Sequence, residues 1–158
     1  MRTEEIETRT LEEQPTAVRR ATLAPEEMPN WFSTAYGEIA SFLGRHGVRP
    51  AGMPFARYHR RSDGRFDTEA GFPIAAPVTG DGMTEASTLP GGPAAVTLYR
   101  GPYDGLAAAY EQLEDWLRTQ GGIPDGDPWE VYFDPPTGDP ADWRTEVIQP
   151  YRPAGSLA

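Results

Sequence analysis

The sequence predicts an α+β fold: a duplicated β-β-α-β-β unit forming one antiparallel sheet with two helices, pseudo-twofold symmetric. Three observations predict it. First, Tyr36 to Tyr58 repeats as Tyr110 to Tyr132 at a constant offset of 74 residues, with Ile39, Phe42, Leu43, Gly47, Pro50, Gly52, Pro54 and Phe55 matched by Leu113, Trp116, Leu117, Gly121, Pro124, Gly126, Pro128 and Trp129. Second, apolar periodicity switches within each copy from alternation to helical spacing and back. Third, 17 glycines and 17 prolines give loops and turns a large share of the chain.

The elements follow in order. Glu5 to Leu11 alternates as a half-buried strand does, and Ala17 to Leu23 is a second strand. A helix over Asn30 to Arg45 places Phe32, Tyr36, Ile39 and Leu43 on one stripe, and Gly47 suits its C-terminal cap. Phe55 to His59 and Phe66 to Pro73 form a hairpin across Asp63-Gly64, a type I′ turn signal. The second copy repeats the plan with strands near Thr84 to Thr88 and Ala94 to Tyr99. Its helix runs from Asp104, a plausible N-cap, to about Thr119. Strands at Trp129 to Asp134 and Thr145 to Pro150 close it. The flanks keep the match: Thr10-Leu11 with Thr88-Leu89, and Thr68-Glu69 with Thr145-Glu146. The 158 residues therefore read as a single domain, repeat one about 5–76 and repeat two about 83–153.

Composition narrows the chemistry. There is no cysteine and no lysine, which excludes disulfides, zinc thiolates, thiol nucleophiles and lysine Schiff bases. The two histidines, His46 and His59, fit no metal-ligand spacing, so no metal and no cofactor is expected. A net charge of −10 disfavours direct nucleic-acid binding. The dense basic stretch Arg57 to Arg65 is expected to be a solvated hairpin tip. No apolar run approaches the ~20 residues of a membrane span, and no signal segment is evident, so a cytoplasmic location is expected.

Three spaced motifs, L-Y-R-G-P-Y-D-G-L-A-A-A-Y-E-Q-L-E-D-W-L (Leu98 to Leu117), P-W-E-V-Y-F-D-P-P (Pro128 to Pro136) and T-E-V-I-Q-P (Thr145 to Pro150), with F-D-T-E-A-G-F-P-I (Phe66 to Ile74) in the first half, carry a resemblance. The chain resembles the GyrI-like (gyrase-inhibitor-like) small-molecule-binding domain, found also as the effector-binding part of bacterial transcription regulators. The resemblance covers nearly the whole chain. It implies a duplicated unit with a central ligand cleft on the pseudo-twofold axis, lined by aromatics and holding a glutamate that meets cationic, lipophilic drugs. Glu130 matches that glutamate, with Glu146 the weaker match.

The repeat bears on Glu130 independently. Trp129-Glu130-Val131-Tyr132 aligns with Phe55-Ala56-Arg57-Tyr58, so the aromatic ends recur while Ala56 stands opposite Glu130. Glu69 and Glu146, by contrast, are matched in both copies. A residue the fold requires should recur; one that breaks the symmetry suits a specific task. Trp129, Val131 and Phe133 share one strand face, on which the helix is expected to pack, and Glu130 and Tyr132 share the other. A carboxylate among rings there would favour a cationic or aromatic guest.

Around Glu130 the candidate ligand contacts are Tyr132, Tyr58, Tyr103, Trp143 and Trp31, the last on a longer pre-helical stretch with Met28 and Phe32 that could serve as a lid. Tyr110, like Tyr36, lies at core spacing on a helix, so its ligand contact competes with a core role. The function expected is a stand-alone small-molecule-binding protein that senses or sequesters hydrophobic, cationic or aromatic compounds. It needs no membrane and leaves any protein partner unidentified. One alternative, implied by the resemblance, is a hydrolase of electrophilic, cyclopropane-type natural products; the residues would supply Glu130 as general base, Glu146 as its partner and Tyr132 or Tyr58 donating a hydrogen bond. The other is a gyrase-inhibitor-like protein-interaction role.

Overall fold

The computed structural model describes residues 2–3 and 5–154. Its elements, in chain order, begin with strands β1 (Arg2–Thr3), β2 (Glu7–Leu11) and β3 (Gln14–Leu23) and helix α1 (Met28–Arg45). Strands β4 (Phe55–Arg60), β5 (Phe66–Pro73), β6 (Glu85–Leu89) and β7 (Gly92–Arg100) come next. Helix α2 (Leu106–Thr119) and strands β8 (Gly122–Pro124), β9 (Trp129–Tyr132) and β10 (Arg144–Pro153) complete it. The fold is α+β with antiparallel pairing throughout. β1 and β8 are short additions that the sequence pattern does not announce.

Two compact units emerge. One, the N unit, is Glu13–Leu89; the other, the C unit, joins the chain from Pro90 onward to the segment ending at Glu12. The first strand of each repeat is thereby exchanged. β2 lies on β7, Glu7 opposite Val96 and Leu11 opposite Gly92, while β6 lies on β3, Gln14 opposite Leu89. Adjacent β2 and β3 do not form a hairpin. A missing turn glycine does not decide this, because β6 and β7 exchange in the same way across Pro90-Gly91, where glycine is present.

In the C unit β7 is flanked by β2 and β10, and β10 pairs on its other side with β9 and β8. Helix α2 buries Leu106, Ala109, Leu113 and Leu117 against Ala95, Tyr99 and Val147. In the N unit the order is β6, β3, β5, β4. There α1 buries Ile39, Phe42 and Leu43 with Ala17 and Ile74. Removing a leucine from either stripe would cost about 2–5 kcal/mol.

Local chemistry explains the ends of the helices. Pro29 lies in the first turn of α1, where its missing N–H costs nothing. Gly47 ends α1 at φ +66°, with the Val48 amide donating to Leu43, as the cap expectation requires. Two local expectations are corrected. Asp104 does not cap α2; it sits inside a 3-10 turn, Tyr103–Gly105, and the helix begins without a side-chain cap. The β4–β5 turn is not type I′ either. Asp63 keeps negative φ, Gly64 alone is positive at +82°, and the Gly64 amide donates to Arg61 while Arg61 N–H donates to Arg65 O at 2.9 Å. That is a three-residue loop with a glycine bulge. No helix among the described residues is long and apolar enough to cross a membrane.

Candidate functional site

Strand β9 sets the site. Glu130 stands opposite Val147 in the ladder, and residues directly opposite share a face. Val147 belongs to the core under α2, so Glu130 faces the helix. This reverses the expected face: the helix covers the Glu130–Tyr132 side, not the Trp129–Val131–Phe133 side. Alternation shows which residues share a face, but not which face receives the helix. What decides is the register with β10, whose Val147 anchors the α2 side while Ile148, opposite Trp129, occupies the other.

The acid is buried, at 6% exposure, and its partners are two phenols. Tyr132, two residues along the strand, donates to Glu130 Oε1 at 2.7 Å. Tyr110 donates from α2 to Oε2 at 2.6 Å. Tyr110 also packs its ring on the C-unit core, so its place at core spacing and its contact with the acid coexist. Burial pushes the Glu130 carboxyl above the ordinary carboxylate range; the two hydroxyls act in the opposite direction without reversing it. No arginine is among its partners among the described residues.

Two more rings extend the cluster. Tyr103, on the 3-10 turn before α2, meets Tyr132 edge-on at 5.7 Å between centroids and Trp143 at 4.9 Å. Trp143 is fixed by its indole N–H to the Thr137 carbonyl at 2.9 Å, and its own carbonyl accepts from the Gly101 amide at 2.9 Å. That backbone bond ties the segment bearing Trp143 to the one bearing Tyr103. At the base of the loop, Arg144 clasps Asp134 through Nε at 3.0 Å and Nη2 at 3.1 Å, and its amide adds a third bond at 2.8 Å. This clasp holds the Asp134 carboxyl below its usual range. Tyr103 is partly open to solvent and its phenol is pushed up, first by burial and then by Glu130 and Asp134.

The structure thus brings Glu130, Tyr132, Tyr110, Tyr103 and Trp143 together in the C unit. Glu146 is not with them. It stands opposite Val131 and Leu98, one step from Val147, and so on the other face of the sheet. There it pairs with Arg9 at 3.2 Å. The expected partnership of Glu146 with Glu130 is therefore corrected: a one-residue offset puts two carboxylates on opposite sides of a strand. Its matched residue Glu69 likewise pairs with an arginine, Arg20, at 2.9 Å.

Tyr58 and Trp31 belong to the N unit. Tyr58 meets Phe32 and Phe66 edge-on, and Trp31 meets Phe32 at 5.3 Å. Trp31 is not on a loop: α1 begins at Met28 and carries it. Ala56, the residue matched to Glu130, is fully buried. Two contributors escaped the sequence reading. The Asp134–Arg144 clasp joins residues ten apart with nothing between them to mark the pairing. Thr145, opposite both Tyr132 and Tyr99 on the Glu130 face, is fully buried, and its hydroxyl has no partner among the described residues. Among the described residues no group of three or more acidic or histidine side chains is placed to hold a metal.

The GyrI-like small molecule binding domain profile matches residues 4–152. No curated protein matches the chain. Among solved structures, the EcmrR C-terminal domain superposes with a TM-score of 0.76 at 20% identity, covering 95% of this chain and 98% of that one. EcmrR in its DNA complex superposes at 0.81, again at 20% identity and over 95% of this chain, which spans only 58% of EcmrR there. SAV2435 bound to tetraphenylphosphonium superposes at 0.62 with 10% identity, covering 94% of each chain. At these identities the likeness is one of fold.

Proposed function

Because this chain belongs to the GyrI-like small molecule binding domain family, we propose that Glu130, with Tyr110, Tyr132, Tyr103 and Trp143, receives a hydrophobic small molecule of cationic or aromatic character. The observation that carries this reading is a carboxyl at 6% exposure whose only partners among the described residues are two phenols. Ionising it unpaired in that setting is costly, and a lipophilic cation relieves the cost where water cannot. The surrounding rings add cation–π attraction of about 0.5–2 kcal/mol per contact. SAV2435, of the same fold, has been seen with one such cation, tetraphenylphosphonium, and this supports the choice of guest. Sensing or sequestration is the role that such capture would serve.

Turnover is the less supported reading. A general base assisted by a second carboxylate has lost that carboxylate, since Glu146 is engaged with Arg9 on the opposite face. Titration with tetraphenylphosphonium, followed by calorimetry at neutral pH, tests the proposal. Wild type should bind, and Glu130→Gln, with a circular-dichroism melt no lower than that of wild type, should bind at least about tenfold more weakly, the loss of one charge contact of roughly 1.4 kcal/mol. Equal binding by the two would overturn it.

A further inference from the structure

We propose that the N unit carries a second, chemically opposite site: a polar groove between β3 and α1 that takes a small molecule bearing an oxyanion group. The groove measures about 530 Å³ and is lined by side chains of Arg19, Glu38, Arg45, Ser33, Thr34 and Ser41, with Gly37 open between them. Its volume is that of a small-molecule site. Not one lining side chain is aromatic or aliphatic, so it offers nothing to the apolar guest of Glu130.

Its construction starts at Arg19. The ladder places Arg19 opposite Ala70, and Ala17, two residues before it, is a core residue under α1. A guanidinium therefore occupies the helix-covered face, where alternation calls for an apolar side chain. It is held there by Nε donating to the buried Thr84 hydroxyl at 3.0 Å and by Nη1 bonding Glu38. Nη2 has no protein acceptor among the described residues. Arg45 has no ion pair or hydrogen bond among the described residues, and it lines the same groove. Glu38, half exposed, pairs with Arg19, and Asp81 lies within electrostatic reach of the same guanidinium, so both carboxylates act on Arg19 and neither is paired with Arg45. An oxyanion that met Nη2 of Arg19 and the Arg45 guanidinium would make charge-assisted bonds to both, and the Ser33, Thr34 and Ser41 hydroxyls offer further donors and acceptors beside it. Gly37 leaves room for it, since a Cβ added there would touch nothing within 4 Å.

The other half shows that the fold does not require this lining. At the equivalent places α2 carries Ala107, Ala108, Glu111, Gln112, Asp115 and Thr119, and β7 carries Thr97. Both arginines and the row of hydroxyls are absent there, and the surface is acidic instead. In a chain of net charge −10, a groove lined by two arginines and one glutamate, with Arg45 unpaired among the described residues, marks a local reversal of sign.

Inorganic phosphate is the probe. Its titration into the full chain, followed by the arginine Nε–H signals in proton–nitrogen spectra, should shift Arg19 and Arg45 saturably. Installing the other half's residues, Ser41→Asp with Arg45→Thr, should weaken binding at least tenfold. Both positions are exposed, so the melt should be unchanged. Glu38→Gln, by removing the competing carboxylate, should tighten phosphate binding, whereas Glu114→Gln, the same charge change on α2, should not. Phosphate shifts confined to the Arg57–Arg65 hairpin, no saturable shift at all, or equal affinity in wild type and the double variant would overturn the proposal.

Discussion

Tyr36 and Tyr110 hold equivalent places on the two helices, yet they spend their hydroxyls differently. In the N unit Tyr36 donates to the backbone carbonyl of Phe55 at 2.6 Å. In the C unit Tyr110 donates, at the same distance, to Glu130. The residue next to Phe55 is Ala56, and the one next to Trp129 is Glu130. One substitution in a duplicated frame thus redirects a phenol from a structural bond to a buried acid. The lesson is that the frame tolerates the acid because a donor already stood over that position. The paired glutamates show the converse. Glu69 and Glu146 are both bridged by arginine, but the bridge comes from β3 in one unit and from the exchanged strand β2 in the other. What recurs there is the charge balance, a property of stability rather than of function.

Substitutions that erase or transplant the difference test it, the most disruptive first. Ala56→Glu puts a carboxyl into a fully buried site whose phenol is already committed to a carbonyl. It should cost about 3–5 kcal/mol at neutral pH in urea unfolding, as an uncompensated buried charge does, and less in acid, where the group is neutral. A near-neutral result would mean that the two halves are interchangeable. Tyr110→Phe removes one of the two donors to Glu130 and should cost about 1–3 kcal/mol, against about 0.5–1.5 for Tyr36→Phe. Equal losses would erase the distinction drawn between them.

The next test is one of pH. The folded-state pKa of Glu130 is raised above its ordinary 4.5, so above that value the unfolded chain gives up this proton before the native protein does. The native state then holds more protons, and stability falls as pH rises from 4.5 through the raised value. Glu130→Gln should abolish that fall and melt no lower than wild type at neutral pH. A parallel pH profile in the two proteins would show that the acid ionises freely. Smallest of all, Glu146→Ala and Glu69→Ala break ion pairs with half-exposed arginines and should each cost under about 1 kcal/mol in thermal melts.

Much of this was legible in the residues. The duplication showed because glycines, prolines and aromatics, each tied to a turn, a cap or a core position, align over the longest block without a gap. Glu130 stood out because its twin is an alanine. Its face did not, since a four-residue strand with Trp129 and Val131 on one side and Glu130 and Tyr132 on the other looks the same whichever side meets the helix. The clue was Tyr110: a phenol on an otherwise aliphatic stripe of Leu106, Ala109, Leu113 and Leu117 asks for a polar partner beneath it. Strand exchange was hidden for another reason. β2 and β6 are copies of one segment, and alternation is satisfied by pairing with either β3 or β7.

The central claim is that the acid-bearing half engages the guest. Intermolecular nuclear Overhauser effects between tetraphenylphosphonium and the aromatic rings test it most directly. The account expects cross-peaks from the phenyl protons to Tyr110, Tyr132 and Trp143, lost in Glu130→Gln. Cross-peaks to Tyr36, Tyr58 and Phe32 alone, unchanged by that substitution, would contradict it.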